Sequence, residues 1–287
     1  MQRSFFQLTG LALKQTVVDI GAAETLQEPR YAPLLATDAG RLIGFEPDKQ
    51  QYAYLTAKQK PRTTYVPTAV GDGKKHVLNI CMEPGLTSLL EPNQNVLRLF
   101  HEFPAWGMIK DRVELDTVRL DDVPETAGVT FLQMDIQGAE LMVLQHAIER
   151  LKTACVLHIE VEFLQLYKNQ PLFSDIDLFL RSQGFVLHHF APLVTRPVAP
   201  LVIDNNPRRG LNQVVWADAV FVRDFSDFAN YTDEQLLTTA GILHDCYRSV
   251  DLAWRLLIEH DQRTQKSVAN TYFGTLTGAP APASVAA

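Results

Sequence analysis

Acidic side chains stand where three of the predicted strands end. Asp19 comes just before the turn at Gly21, Glu46 ends a second strand, and Asp135 ends a third strand that breaks at Gly138. Because the carboxyl ends of parallel strands lie at one edge of a sheet, we expect Asp19, Glu46 and Asp135 to converge on one cleft. A cleft of this kind favours a ligand that offers hydroxyl or amino hydrogens to carboxylates.

The first two strand ends suit a nucleoside. Glu46 is placed to accept hydrogen bonds from both ribose hydroxyls, and Asp19 can hold a cationic or amine-bearing group. Gly21, which two alanines follow, allows a ligand to approach the backbone closely. In an alternative interpretation, Asp19 and Gly21 merely end a strand.

The glycine pattern narrows the class of ligand. A dinucleotide site requires G-x-G-x-x-G so that a pyrophosphate can rest on a helix N-terminus, but the chain has Glu24 and Thr25 in that region. Glu24 would repel a pyrophosphate, and no P-loop sequence occurs, so a nucleoside without phosphates fits best. S-adenosylmethionine is the common ligand of that class, whereas a nicotinamide oxidoreductase would need the missing glycines.

Further carboxylates follow the third strand end. Glu160 and Glu162 alternate on the next predicted strand, so their side chains share one face of the sheet. Asp135 is the candidate cleft carboxylate nearest to them in this arrangement. In the alternative interpretation, Asp135 caps the helix that follows it, and Glu140 complements the dipole of that helix.

These side chains require a sheet to position them. Short β-branched runs alternate with helical patterns through the first two-thirds of the chain, which predicts an α/β fold with a mainly parallel sheet and helices on both faces. A run at 75–82 is predicted as a further strand. Residues 229–266 have helical spacing without a strand signal. We therefore predict a sheet domain over 1–228, a C-terminal helical hairpin over 229–266 and a flexible tail over 267–287.

Composition excludes several classes of protein. The 287 residues are 46% apolar and 21% charged, which is typical of a globular chain. The formal net charge of -7 argues against a large nucleic-acid footprint. Three separated cysteines without a Cys-x-x-Cys pair favour a reducing compartment. No apolar run suits a membrane span, so we expect a cytoplasmic protein without a nucleic-acid or membrane partner.

A metal site has little support in the sequence. His158 and Glu160 match one half of a zinc deaminase signature, but the P-C-x-x-C half is missing. No H-E-x-x-H motif occurs. We therefore expect no metal.

The chain resembles the FkbM-type methyltransferases over most of its length, from about residue 17 to residue 223. The most specific string is Asp-Ile-Gln-Gly-Ala-Glu at 135–140. The matching segments, in order, are 17–22, 44–47, 69–72, 87–89, 120–121, 134–140, 143–144, 158–163, 166–167 and 171–173.

The resemblance implies a class I methyltransferase fold, a Rossmann-like sheet of seven strands of which one is antiparallel, that binds S-adenosylmethionine. It implies that Asp135 positions the methyl donor or the acceptor hydroxyl, with Glu160 as the alternate base. The implied cofactor-binding residues are Asp19, Gly21, Ala22, Glu46, Pro47, Ala69, Ser88 and Asp135. Two positions depart from the family pattern, because Thr25 stands for a glycine and Gln133 for a lysine.

Two functions of different classes follow. The first is an S-adenosylmethionine-dependent O-methyltransferase whose acceptor is a hydroxyl of a sugar, glycan or small natural product. The second is a non-catalytic interaction protein that keeps the fold and holds a partner with its helical hairpin. We expect the acceptor pocket to come from the segments 84–112 and 191–214, since substrate pockets in this fold are built from loops. The oligomeric state stays open, with a homodimer as one option.

Overall fold

The structure is a computed structural model that describes residues 3–23 and 28–281. The two predictions that concern Glu24 and Thr25 lie outside the described residues, as does the end of the predicted tail, 282–287.

The strands of the described chain fall into two sheets. In chain order they are β1 (Gln15–Ile20), β2 (Gly40–Phe45), β3 (Thr63–Val66), β4 (Ala69–Val70), β5 (Lys75–Cys81), β6 (Ile109–Val118), β7 (Phe131–Met134), β8 (Val156–Glu162), β9 (Phe185–Thr195) and β10 (Val214–Arg223).

Helices alternate with these strands and then continue alone to the C-terminus. They are α1 (Phe5–Thr9), α2 (Ala32–Leu35), α3 (Lys49–Ala57), α4 (Gln94–Leu97), α5 (Phe103–Trp106), α6 (Glu140–Gln145), α7 (Ile148–Leu151), α8 (Phe173–Ser182), α9 (Asp233–Ile242), α10 (Val250–Thr264) and α11 (Val268–Thr277). A π-helical turn, Leu243–Tyr247, follows α9. No helix in the described part of the chain has the length and apolar character needed to cross a bilayer.

Short polar signals start several of these helices. Ser4 and Gln7 form a reciprocal capping box at α1, and Thr232 and Gln235 form another at α9. Asp48, three residues after the end of β2, accepts hydrogen bonds from two backbone N–H groups of α3. The chain therefore turns directly from the end of β2 into a helix, which fixes the position of the strand end.

The main sheet has seven strands in the order β3-β2-β1-β7-β8-β10-β9. Strand β10 runs antiparallel to both of its neighbours, and the other neighbouring pairs are parallel. The prediction of a mainly parallel, seven-stranded α/β sheet with one antiparallel strand is confirmed. Strand order reverses at β1, so the crevice between β1 and β7 lies at the switch point where open α/β sheets bind ligands.

A second sheet carries the strand that was predicted at 75–82. This sheet has three strands in the order β4-β6-β5, and β5 pairs antiparallel with β6. Strand β6 begins inside the segment 84–112, which was predicted to be a loop. The small sheet is therefore an insertion between β3 and β7, next to the carboxyl edge of the main sheet.

The two faces of the main sheet bury different layers. Successive residues of a strand point to opposite faces, so Val18 and Val17 lie in different cores. The Val18 core packs strand residues against α6, α7 and α8, and includes Val143, Leu144, Leu151, Ile176 and Leu180. The Val17 core packs strand residues against the terminal helices, and includes Phe5, Leu8, Leu236, Ala240, Leu256, Leu257 and Tyr272.

The C-terminal helices thus form one of the two layers that bury the sheet. The predicted flexible tail is corrected by the structure, because α11 occupies Val268–Thr277. Ala269 and Tyr272 are buried one helical turn apart, and the Tyr272 hydroxyl hydrogen-bonds with Nδ1 of His244 over 2.7 Å. This apolar stripe holds the helix in place, although glycine, proline and alanine dominate the residues that follow.

Candidate functional site

The strand ends bring the three predicted carboxylates together. Asp19 lies on β1 between Gly44 of β2 and Gln133 of β7 in the sheet register. Asp135 and Glu46 lie close enough for the negative charge of each to raise the pKa of Asp19. The edge of the sheet at β2, β1 and β7 is therefore an acidic cleft.

Asp19 is buried at the centre of this cleft. Its Oδ2 accepts a hydrogen bond of 2.6 Å from the hydroxyl of Tyr31. Burial raises the pKa of Asp19 to about 7, and the bond from Tyr31 acts in the opposite direction. A carboxyl group in this state ionises readily when a cation or an amino group binds beside it.

Gly21 and Ala22 bind the end of β1 to β2, and Gly21 also lies against the residue that follows β7. The N–H groups of both residues donate to the carbonyl oxygen of Phe45, each over 3.1 Å. Gly21 has φ +87°, and a Cβ at this position would overlap the carbonyl oxygen of Asp135. Only glycine fits here, because both the backbone conformation and the contact with Asp135 exclude a side chain.

Glu46 is held at the end of β2 by the turn through Pro47. Its N–H donates to the carbonyl oxygen of Val66, and its Oε1 accepts a hydrogen bond of 2.8 Å from the N–H of Asp48. Burial raises the pKa of Glu46 above its usual range. These bonds fix the carboxylate at the edge of the sheet, and its contact with a ribose stays a prediction.

Ala69 and Ser88 lie outside the main sheet. Ala69 begins β4 and pairs with Thr117 of the small sheet. The Ser88 hydroxyl is buried, donates to the carbonyl oxygen of Gln137 over 2.6 Å, and accepts from the N–H of Leu90. Ser88 therefore positions the loop that follows β7, and its contact with a cofactor stays a prediction.

Gln137 connects the carboxylates of that loop. Its side-chain nitrogen donates to Oδ1 of Asp135 over 2.7 Å and also to Oε2 of Glu160. Its Oε1 accepts a hydrogen bond of 2.9 Å from the hydroxyl of Tyr167. Neither Gln137 nor Tyr167 has a predicted role from the residues alone, although the segments 134–140 and 166–167 contain them.

The carboxylate of Glu140 binds the backbone of the same loop. Its two carboxylate oxygens accept hydrogen bonds of 2.9 Å from the N–H groups of Ile136 and Gly138. Burial raises the pKa of Glu140 to about 7, while the backbone bonds oppose the shift. The alternative in which Asp135 caps α6 is not found, because the residue before α6 is Ala139 and the Asp135 side chain binds Gln137.

Glu160 and Glu162 extend the acidic cluster along β8. Burial raises the pKa of both carboxyl groups well above the usual range, and the negative charge of Asp135 adds to each shift. Buried carboxylates that repel one another retain protons, as in other paired carboxylate sites. Burial and mutual repulsion therefore disfavour the ionised forms of Glu160 and Glu162.

A cavity of about 270 Å³ opens beside Glu160, Glu162 and Gln137. Both segments that were predicted to build an acceptor pocket contribute to its walls. From 84–112 come Gly85, Leu86, Phe103 and Trp106, and from 191–214 come Arg196 and Arg208. Glu83, Leu166 and Trp216 complete the lining.

Unpartnered buried acceptors show which ligand chemistry the cleft can satisfy. Gln133 Oε1 and Glu162 Oε2 have no hydrogen-bond partner among the described residues. Gln133 lies beside Asp19 in register, so their side chains share one face of the sheet. A ligand with N–H or O–H donors and a positive charge would satisfy these groups, and S-adenosylmethionine has both.

His158, one half of the zinc deaminase signature, bonds elsewhere. Its Nδ1 hydrogen-bonds with the hydroxyl of Tyr247 over 2.9 Å, and its Nε2 lies 3.4 Å from Oδ2 of Asp218. Within residues 3–23 and 28–281, no group of three or more His, Cys, Asp and Glu side chains is arranged to hold a metal ion.

Solved structures similar to the chain are distant. A putative methyltransferase from Thermoplasma acidophilum is 8% identical, with a TM-score of 0.33, over 74% of this chain and 69% of that chain. TYW2 of M. jannaschii, solved in complex with AdoMet, is 14% identical, with a TM-score of 0.32, over 76% of this chain and 74% of that chain. No curated protein matches the chain significantly.

A family model gives the identity of the domain. The model described as the Methyltransferase FkbM domain matches residues 19–187. The match runs from Asp19 of the acidic cleft to Leu187 in β9, and it includes Glu46, Asp135 and Glu160. Since it spans more than half of the chain, the protein belongs to the FkbM methyltransferase family, whose cofactor is S-adenosylmethionine, as its sequence motifs predicted.

Proposed function

We propose that the protein is an O-methyltransferase that transfers a methyl group from S-adenosylmethionine to a hydroxyl of a sugar, glycan or small natural product. One observation carries this proposal. Glu160 lines the cavity and shares the amide nitrogen of Gln137 with Asp135, which belongs to the acidic cleft. A group that removes a proton from an acceptor in the cavity would therefore lie next to the cofactor side of the site.

The cleft residues have separate tasks in this proposal. Glu46 accepts hydrogen bonds from the ribose hydroxyls, and Asp19 with the unpartnered Gln133 Oε1 receives the amino group of the cofactor. The acidic surroundings favour a positively charged ligand. Gly21 and Ala22 hold the strand end against Phe45, so the cleft stays in shape.

Positioning accounts for most of the expected catalysis. When bound, S-adenosylmethionine supplies a methyl group on a positively charged sulfur, which is an excellent leaving group. The protein must align an acceptor oxygen with that carbon, so the cavity walls and the loop after β7 matter most. As the new oxygen–carbon bond forms and the carbon–sulfur bond breaks, the hydroxyl proton passes to a carboxylate.

Among the carboxylates that line the cavity, Glu160 is the one that shares the amide nitrogen of Gln137 with Asp135, so it can accept this proton beside the cofactor side of the site. Burial and the neighbouring carboxylates raise its pKa well above the usual range, which makes its ionised form a stronger base. Asp135 is exposed and accepts a hydrogen bond from the same amide nitrogen of Gln137. We assign Asp135 to positioning the methyl donor or the acceptor hydroxyl, with Glu160 as the base.

Two measurements test the proposal. Calorimetric titration should detect one S-adenosylhomocysteine per chain, bound more tightly than NADH. Incubation with labelled S-adenosylmethionine and a panel of sugars and hydroxylated natural products should then give a labelled, base-stable ether. A chain that binds no cofactor at millimolar concentration would support the alternative of a non-catalytic interaction protein. Tighter binding of NADH would contradict the choice of cofactor.

A further inference from the structure

Arg196 presents a cation to the cavity without a carboxylate partner. It lines the same cavity as Glu160 and Glu162, and no ion pair joins it to any acidic residue in the described part of the chain. Its Nε is buried without a hydrogen-bond partner among the described residues, and its Nη1 donates only to the carbonyl oxygen of the adjacent Thr195. A partly buried guanidinium with unused donors is the usual binding group for a carboxylate or a phosphate.

The backbone holds Arg196 at a fixed point of the site. Its N–H donates to the carbonyl oxygen of Gln213 over 3.0 Å, where β9 and β10 separate. Gly210 packs against Thr195 so closely that a Cβ on Gly210 would overlap it. The guanidinium also lies over the ring of Trp216, 4.6 Å from the ring centroid. The side chain is therefore pre-positioned, which reduces the entropy that anion binding would cost.

The second arginine of the cavity differs from the first. Arg208 is paired with Glu102 through two hydrogen bonds of 2.7 and 3.1 Å. The charge of Glu83, another residue of the cavity wall, also acts on Arg208. Arg208 is thus ion-paired with Glu102, whereas Arg196 senses the charge of Glu102 without forming an ion pair among the described residues and keeps an unpartnered donor.

Aromatic rings form the wall between the acidic and basic groups. Phe103 stacks on Trp106 with ring centroids 5.3 Å apart, and Trp216 lies 6.2 Å from Phe103. Such walls bind the apolar face of a ring, whether of a sugar or of an aromatic compound. The volume of about 270 Å³ accommodates a single-ring compound rather than a drug-sized one.

We propose that the acceptor is a hydroxylated single-ring compound that carries a carboxylate or a phosphate, with the anionic group bound to Arg196 and the hydroxyl directed to Glu160. This inference rests on the proposed function, because it names the class of acceptor for the same site. The acidic end of the cavity would reject an anion, and the Arg196 end would attract it. The two ends therefore orient the acceptor as well as select it.

The experiment uses three probes with one ring: benzoate, phenyl phosphate and benzyl alcohol. Ligand-detected NMR measures their affinity for the full chain in the presence of S-adenosylhomocysteine. The variants are Arg196→Gln, which removes the charge at the cavity, and Arg98→Gln, which removes an exposed charge that does not line the cavity. Comparison of benzoate with phenyl phosphate distinguishes the two anions.

We expect at least one anion to bind the wild-type chain more tightly than benzyl alcohol. Arg196→Gln should lower the affinity for that anion by about tenfold or more, because a charge-assisted hydrogen bond is lost. The affinity for benzyl alcohol should be unchanged. Arg98→Gln should match the wild type. The proposal is overturned if no anion binds or if benzyl alcohol binds as tightly as both anions. It is also overturned if Arg196→Gln still binds the anion more tightly than benzyl alcohol. Calorimetry of S-adenosylhomocysteine on the same samples reports separately on the proposed function.

Discussion

The hydroxyl of Tyr167 lies 2.9 Å from Oε1 of Gln137, closer than its second acceptor, the carbonyl oxygen of Leu86 at 3.2 Å. Its hydrogen bond to Gln137 fixes which way the side-chain amide faces. With the oxygen occupied by Tyr167, the nitrogen of Gln137 must point to Asp135 and Glu160. One tyrosine on the chain beyond β8 thus holds the arrangement of two carboxylates at the ends of β7 and β8. Gln137 can adopt its left-handed backbone conformation, φ 60°, because both ends of its amide are bound.

Replacement of Tyr167 by phenylalanine tests this arrangement. The ring keeps its place in the core with Phe103 and Leu97, but Gln137 loses the bond that orients it. We expect kcat for methyl transfer to fall about tenfold, which corresponds to about 1.4 kcal/mol, with the Kd of S-adenosylhomocysteine unchanged. The control is Tyr54→Phe on the exposed surface of α3. An unchanged kcat in Tyr167→Phe would remove Gln137 from the catalytic arrangement.

Glu46 should contribute to cofactor binding through its buried carboxylate. Glu46→Ala is expected to weaken S-adenosylhomocysteine binding by about 1.5–3 kcal/mol, the usual value for hydrogen bonds to a charged group. Glu46→Gln retains an acceptor for the N–H of Asp48 and separates a loss of charge from a disturbed turn. Exposed Glu125→Ala provides the control, and calorimetry provides the measurement. Equal affinity in all four proteins would show that the ribose binds elsewhere.

Cofactor affinity should depend on pH through Asp19. Its pKa of about 7 in the empty cleft is raised by burial, so below pH 7 the carboxyl is mainly protonated. A positively charged ligand binds the ionised form, and binding must then release a proton. Affinity for S-adenosylmethionine should therefore rise by at most about tenfold per pH unit up to pH 7 and level off above it.

The matched variant for this pH dependence is Asp19→Asn, which can still accept from Tyr31 but cannot ionise. Its affinity should be lower at pH 8 and nearly independent of pH between 5 and 8, a range set by the pKa of about 7. If the variant keeps the slope of the wild type, the proton belongs to another group of the cluster, such as Glu140.

Much of the fold follows from local signals in the sequence. β-branched strands alternate with helices, so the parallel sheet and its strand-end carboxylates were predictable. The small sheet was not, because Lys75–Cys81 pairs with Ile109–Val118 across an insertion whose pairing depends on tertiary contacts. For the same reason local signals do not predict α11 as part of a packed layer. Its buried residues, Ala269 and Tyr272, stand among residues typical of a flexible terminus.

The candidate site shows the same division between local and long-range information. Asp135 and Glu160 could be singled out because each ends or lies near the end of a strand. Arg196 and Tyr167 could not, because a pocket segment such as 191–214 or a family motif such as 166–167 does not show which of its side chains contacts the cavity or the Gln137 amide. They reach the site through the separation of β9 from β10 and through the segment after β8, which only the tertiary structure defines.

The C-terminal helices should be required for stability rather than attached to a stable domain. Leu256 of α10 is fully buried in the core that includes Val17, Phe131 and Val220 of the sheet. Leu256→Ala should lower the free energy of unfolding by about 2–5 kcal/mol, measured by urea denaturation. Leu178→Ala, at a position 63% exposed on α8, should change it by about 0.5 kcal/mol or less. A small effect at Leu256 would favour a separable appendage.

Charge removal at Asp135 and Glu160 distinguishes a positioning carboxylate from a base. Asp135→Asn and Glu160→Gln keep shape and remain able to contact Gln137, so both variants should fold and bind S-adenosylhomocysteine. Glu160→Gln should lower kcat by about 10²–10⁴-fold, the range of general base catalysis, and abolish the rise of kcat with pH. That rise reflects the raised pKa of Glu160, whose ionised form increases with pH. Asp135→Asn should lower kcat less and keep the pH profile, because Glu160 still accepts the proton. A reversed pattern would make Asp135 the base, and two variants as active as the wild type would place the proton acceptor outside this cluster.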